Sequence, residues 1–219
     1  MMRLHFDEQL HLLNEEMIRM GSMIERAIEN AGQVLETRDQ EACRAIMAYD
    51  NEIDRQERDI ETMCLRLILM QQPVARDLRL ISAALKMITD MERIGDHASD
   101  IAEILTMPCT EPLVPMPPML KSMSVEASKM VRRAIDAFVR RDVSLAHEVI
   151  RSDDIVDDLF MQVRNELIVM IRDHPESSTH LVDALMFAKY FERIGDHAVN
   201  IAEWVEYAVT GVYKGDKLQ

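Results

Sequence analysis

From Phe6 to Val34 the chain places an apolar residue at every third or fourth position without a break: Phe6, Leu10, Leu13, Met17, Met20, Ile24, Ala27, Ala31 and Val34. An alternation of 4 and 3 buries one narrow seam of a long helix; strands would need apolar residues at every second position. The stripe returns in Ala42, Ile46, Tyr49, Ile53, Gln56, Ile60, Met63, Leu67 and Met70, where only Gln56 is polar. A third stripe runs through Ala84, Met87, Met91, Ile94, Ala98, Ile101 and Leu105. Asp39, between the first two, is the expected N-cap of the second helix. Pro73 is expected to stop that helix and to open the third at its first turn. Helices of about thirty residues are rods of roughly 45 Å at 1.5 Å per residue.

The texture then changes. Residues 106–118 read TMPCTEPLVPMPP and hold five of the seven prolines. Helix cannot persist through that density of proline. After it the pattern starts again: Leu120, Met123, Ala127, Met130, Ala134 and Ala137, then Ala146, Ile150, Val156, Phe160, Val163, Leu167 and Met170. Pro175 matches Pro73, and a last stripe runs through Ala184, Phe187, Phe191, Ile194, Ala198, Ile201 and Val205. Each of those seven lies 100 positions after its counterpart in the third helix. The expected fold is therefore all-α: two tandem three-helix bundles, residues 1–107 and 119–219, joined by a proline-rich linker over 108–118.

Composition narrows the function classes. With 6 Gly and 5% aromatics among 219 residues, barrels, sandwiches and glycine-loop nucleotide folds lack their turn and strand formers. Of the 18 Met, Met17, Met20, Met63, Met70, Met87, Met91, Met123 and Met130 lie on seams and are read as core filling. A net charge of −14 repels phosphate backbones, which excludes direct nucleic-acid binding, and attracts cations and basic partners. Cys43, Cys64 and Cys109 form no C-x-x-C pair and read as free thiols of a reducing compartment. The first residues, MMRLHFDEQLHLLNEE, lack the apolar run of a signal peptide, and nothing approaches the length of a membrane span. A cytoplasmic, soluble protein is expected.

The sharpest signal is a duplicated polar string. Residues 92–103 read ERIGDHASDIAE and residues 192–203 read ERIGDHAVNIAE. Packing alone would retain the apolar positions and let the solvent face drift, yet Glu, Arg, Asp and His recur in register. Glu92, Asp96 and Asp100 stand at i, i+4 and i+8, as do Glu192, Asp196 and Asn200. Like charges at that spacing repel by roughly 0.2–0.5 kcal/mol per pair, so a cation is called for. The second helix of each half adds a D-x-x-[IV]-D pair, Asp50 with Asp54 and Asp153 with Asp157, flanking a seam residue. Two acidic columns facing one groove offer oxygen ligands suited to Mg, Mn, Fe and sometimes Zn. Gly95 and Gly195 sit mid-helix, where glycine costs about 1 kcal/mol against alanine; close helix approach or ligand access is the expected reason. His97 and His197 point about 100° away from the preceding aspartate. The bland reading is a solvated acidic face, with Arg93 and Arg193 pairing to neighbouring acids without metal.

No catalytic constellation accompanies this. The E-x-x-H string of di-iron carboxylate bundles is missing, as are a nucleophile elbow, a P-loop and H-E-x-x-H. The expectation is a non-enzyme.

The paired ERIGDHA strings, the QPVARDLR string of residues 72–79, the D-x-x-[IV]-D pairs and the two three-helix units resemble the PhoU family over nearly the whole chain. The resemblance implies an elongated double bundle and an accessory regulator of phosphate-specific transport. It implies multinuclear iron or zinc clusters, held by Asp50, Asp54, Glu92, Asp96 and Asp100 in the first half. In the second half the ligands would be Asp153, Asp157, Glu192, Asp196 and Asn200. The first motif departs from the family's more usual Asn by having Asp100, which bears on whether both halves load equally. The resemblance further implies a non-enzymatic negative regulator. It would link the phosphate ABC transporter, through its ATPase subunit, to a membrane sensor histidine kinase, and homodimers are frequent in the family. Two other classes stay open: a metal-free helical adaptor, and a metal- or polyphosphate-responsive storage protein binding many ions per chain.

Overall fold

The computed structural model describes residues 2–71, 73–108, 114–214 and 216–217. Six helices account for nearly all of it: α1 (Met2–Thr37), α2 (Gln40–Gln71), α3 (Ala75–Thr106), α4 (Met119–Arg140), α5 (Val143–Asp173) and α6 (Ser178–Thr210). A two-residue hairpin, β1 (Val212–Tyr213) with β2 (Asp216–Lys217), follows α6. The expected linker runs non-helically from Met107 to Pro108 and from Val114 to Pro118; Cys109 and residues 110–113 lie outside the described residues, as does Gln72 of the QPVARDLR string.

Helix starts follow local chemistry. Asp39 Oδ1 accepts from the amides of Glu41 (2.8 Å) and Ala42 (3.2 Å), as its position before the stripe predicts. Asp142 does the same for α5, accepting from Leu145 at 3.1 Å. Each cap is preceded by an arginine in the left-handed region, Arg38 (φ 53°) and Arg141 (φ 56°), which turns the chain back on itself. The proline expectation needs correction. Pro73 stays outside α3, whose N-cap is Val74, and Pro175 opens a 3₁₀ turn (Pro175–Ser177) ahead of α6.

The seams are buried almost throughout, from Leu13, Met17 and Met20 on α1 to Phe187, Phe191 and Ile194 on α6. Gln56 is buried in its stripe and donates to Glu16 Oε2 at 2.6 Å. Met70 departs from expectation: the stripe runs out at the end of α2, and its side chain is 75% exposed. The helices form one continuous core rather than two separate ones. α1 packs against α3 and α4, and α6 against α3 and α4, so each half contributes two helices to a shared four-helix centre. α2 lies in the groove between α1 and α3, and α5 in the groove between α4 and α6.

The halves are related by a pseudo-twofold axis. A side chain at Gly21 of α1 would meet Ile135 of α4, and one at Gly32 would meet Ser124. Ser124 and Ile135 are the second-half counterparts of Gly21 and Gly32, the reciprocal pairing of a self-complementary interface.

Candidate metal centre

The α2–α3 groove and its second-half counterpart, the α5–α6 groove, are each narrow because of a glycine. A Cβ at Gly95 would stand 3.0 Å from Asp50 Oδ1 and 3.0 Å from Ile53 Cδ1. At Gly195 it would stand 3.2 Å from Asp153 Oδ1. The glycine missing its side chain lets the aspartate of the neighbouring helix lie against the backbone of the acidic motif, which meets the expectation of close helix approach.

In the first half, oxygens of Asp50, Asp54 and Asp96 lie within 4.8 Å of one another, a spacing that one cation can bridge. Asp50 Oδ1 is buried and has no hydrogen-bond partner in the described structure. Burial, and then the charges of Asp96 and Asp54, push the Asp50 carboxyl up to about 6. Burial, and then Asp96, also raise Glu92. An orphaned carboxylate oxygen among crowded carboxylates fits a hard or borderline cation. Arg93 neutralises part of this from the exposed rim, donating to Asp96 Oδ2 at 2.9 Å and standing 3.6 Å from Glu92. Glu57 joins the same field; burial, and then Glu61, raise it. The fixed spacing of the duplicated strings gave no signal for Glu57, one turn beyond the D-x-x-I-D pair.

The second half is built differently. Asp153 is pushed up to about 6 by burial and then by Asp157 and Asp196. Burial, and then Glu192, raise both Asp157 and Asp196. Among the described residues, however, no trio of second-half carboxylates converges as Asp50, Asp54 and Asp96 do. Lys189 donates to both oxygens of Glu192, at 2.6 and 2.5 Å.

Asp100 and Asn200 stand at the far edge of their columns, towards the α3–α6 contact. Asp100 Oδ2 lies 3.6 Å from His97 Nδ1, and Asn200 donates to Asp90 Oδ1 at 3.1 Å. His197 Nδ1 also meets Asp90 Oδ1, at 2.8 Å, and the two histidine rings face one another at 5.4 Å. The reason is helical: at about 100° per residue, i+4 drifts 40° and i+8 drifts 80° from the first member. Asp100 still contributes to the field at Asp50. The histidines thus serve the junction between halves; burial, and then His197, hold His97 below the ordinary histidine range.

The duplication extends to comparison with known proteins. A family model described as "PhoU domain" matches residues 17–105 and again 120–205. A "Phosphate-specific transport system accessory protein PhoU homolog" of Clostridium acetobutylicum is 37% identical over 212 residues, covering 96% of this chain and 97% of that protein. A homologue of the same description in Pseudomonas aeruginosa is 33% identical, covering 94% and 86%. Among solved structures, PhoU from Pseudomonas aeruginosa superimposes with a TM-score of 0.88 at 33% identity, covering 94% of this chain and all of that one. The phosphate transport system regulatory protein PhoU from Streptococcus pneumoniae does so with a TM-score of 0.86 at 26% identity, covering 94% and 98%. Two matched domains, relatives alike from end to end and a shared six-helix path make this chain a member of the PhoU family.

Proposed function

We propose that this chain is an accessory regulator of phosphate-specific transport, acting by binding other proteins and not by catalysis. The observation that carries the reading is the end-to-end likeness to relatives described as phosphate-specific transport system accessory proteins. Its partners are the ATPase subunit of a phosphate ABC transporter and a sensor histidine kinase. It keeps the starvation response off when phosphate is plentiful. Long rigid helices supply extended faces for such partners. No helix among the described residues is long and apolar enough to cross a membrane. In this reading contact with the membrane runs through those partners, from the cytoplasm. The chain works as a homodimer.

A cation held by Asp50, Asp54 and Asp96, with Glu92 beside them, is part of the reading; the orphaned Asp50 oxygen supports it. Iron or zinc is the metal class, with manganese or magnesium as the alternatives for an all-oxygen set. Bridging α2 and α3, it would stiffen the groove and set a partner-binding face. The Arg93 contacts to Asp96 and Glu92 favour a second reading, a metal-free adaptor whose acids are neutralised internally. One experiment addresses both. A strain lacking its own PhoU derepresses starvation genes in high phosphate; expression of this chain restores repression, and transporter and kinase co-purify with it. Metal is quantified in the same sample. Failure to restore repression overturns the regulatory reading, and repression by metal-free protein selects the adaptor.

A further inference from the structure

The two grooves match in sequence register and differ in charge. Seven positions face the groove or flank it: Asp50, Asp54, Glu57, Thr89, Glu92, Asp96 and Asp100 in the first half, and Asp153, Asp157, Phe160, Lys189, Glu192, Asp196 and Asn200 in the second. The first set is acidic at every position but Thr89. The second keeps four acids and adds a lysine. The register of the match is fixed by the glycines, since Gly95 abuts Asp50 and Ile53 while Gly195 abuts Asp153 and Val156.

Two of the changes act together. Lys189 lies one turn before Glu192 on α6 and places its ammonium on both Glu192 oxygens. The same ammonium lies 5.5 Å from the centroid of the Phe160 ring, which stands where the first half has Glu57. An aromatic face and a carboxylate on either side hold the lysine in place, a cation–π contact added to a charge-assisted hydrogen bond. Arg93 and Arg193 occupy matching positions, and Arg93 meets Asp96 and Glu92 from the exposed rim, where it is one cation against six acids. Lys189 has no charged counterpart: Thr89 stands in its place.

We infer that Lys189 is a tethered counter-cation that takes the place of a metal ion in the second groove, so that the first half depends on metal and the second does not. This inference rests on the metal reading of the first half. The lysine ammonium supplies positive charge at fixed position without loss of association entropy. It also stands against Glu192 and repels a cation that would approach the same carboxylate. The Phe160 ring removes one further oxygen donor that the first half retains as Glu57.

Full-length protein is titrated with MnCl2, free Mn2+ being read from its electron paramagnetic resonance signal, and melted in chelator. The wild type is expected to bind Mn2+ in the first half only, so Asp54→Asn abolishes binding. Lys189→Met keeps the stem on Phe160 and removes the charge. In chelator it is expected to melt several degrees lower than wild type, because Glu192 and its neighbours lose their cation. With Mn2+ it is expected to gain a second set of ions, roughly ten- to a hundredfold tighter than any residual second-half binding of the wild type. That set survives Asp54→Asn, and Lys189→Arg does not gain it. Thr89→Lys is expected to close the first half and to raise the chelator melting point. The inference is overturned if Lys189→Met melts like wild type in chelator, if it gains no second set, or if wild type retains half its Mn2+ in Asp54→Asn. A wild type that binds no Mn2+, with Lys189→Met melting lower in chelator and still binding none, overturns both the metal reading and the exclusion of metal by Lys189. A wild type that binds none while Lys189→Met gains a set overturns the first-half reading alone.

Discussion

Asp50 and Asp153 are acids whose surroundings oppose their charge. Both are pushed up to about 6, by burial first and neighbouring aspartates second, from an ordinary value of 3.8. Between about pH 4 and pH 6 the folded chain therefore holds more protons than the unfolded chain. Stability contributed by these groups is present below about pH 4 and is lost as pH rises through 6. In chelator, Asp50→Asn removes one such charge. Its melting point is expected to exceed that of wild type by a margin that grows from pH 4 to pH 7; a margin constant with pH would contradict this origin. Metal binding has the opposite dependence, because protonated Asp50 is a poor ligand, so Mn2+ affinity is expected to fall as pH drops below about 6. Gly95 is the other decisive residue. Alanine there is the better helix former by about 1 kcal/mol, but its Cβ would lie 3.0 Å from Asp50 Oδ1. Gly95→Ala is expected to turn Asp50 out of the groove and weaken Mn2+ binding, while crowding of Ile53 costs about 1–3 kcal/mol in chelator, offset by about 1 kcal/mol of helix propensity. Unaltered Mn2+ affinity would show that Asp50 is not held where the glycine makes room for it.

At the scale of the helix, the elements were legible because every level of the signal agreed. A 4-and-3 stripe is incompatible with a strand, and Asp39 stands where an N-cap belongs. Asp142 holds the matching place 103 residues on, between the stripe that ends at Ala137 and the one that opens at Ala146, and caps α5 in the same way. Asp142→Ala is expected to cost about 1 kcal/mol in urea unfolding, with little change in metal binding. The proximity of Asp50, Asp54 and Asp96 was legible as well, because the D-x-x-I-D pair flanks the seam residue that faces the next helix. Three things were not. A column drawn at i, i+4 and i+8 ignores the helix's 80° drift, which turns Asp100 and Asn200 towards the α3–α6 junction. Lys189 lies upstream of the string that begins at Glu192, so comparing the two strings alone passes over the cation that separates the halves. Met70 satisfies the seam spacing but is the second-last residue of α2 and 75% exposed, and spacing carries no information about where burial ends.

At the scale of the molecule, periodicity suggests two bundles that fold side by side, but the packing joins them. α1 and α3 from one half and α4 and α6 from the other share a core that runs without interruption from Leu13 to Ala208. Along the junction a polar layer crosses the pseudo-twofold axis: Asp90 accepts from His197 and Asn200, while Tyr190 and Asp100 hold the corresponding places around His97. Asp90 meets two side chains of the opposite half there, and its side chain is only 17% exposed. Asp90→Ala strands both partners, an expected loss of roughly 1–3 kcal/mol. Because the layer belongs to both halves, that loss should move a single unfolding transition as a whole. A domain boundary at the proline linker would instead give two transitions, only one of them sensitive to Asp90. Urea unfolding followed at once by far-ultraviolet circular dichroism and by Trp204 fluorescence separates the two cases. Trp204 lies on α6, stacked on Tyr213 at 4.0 Å, so it reports the second half while circular dichroism reports both. Coincident curves, displaced together by Asp90→Ala, are expected of a shared core. A fluorescence curve that parts from the dichroism curve would mean that each half keeps its own stability, and that the helices common to both carry less of the fold than their burial implies.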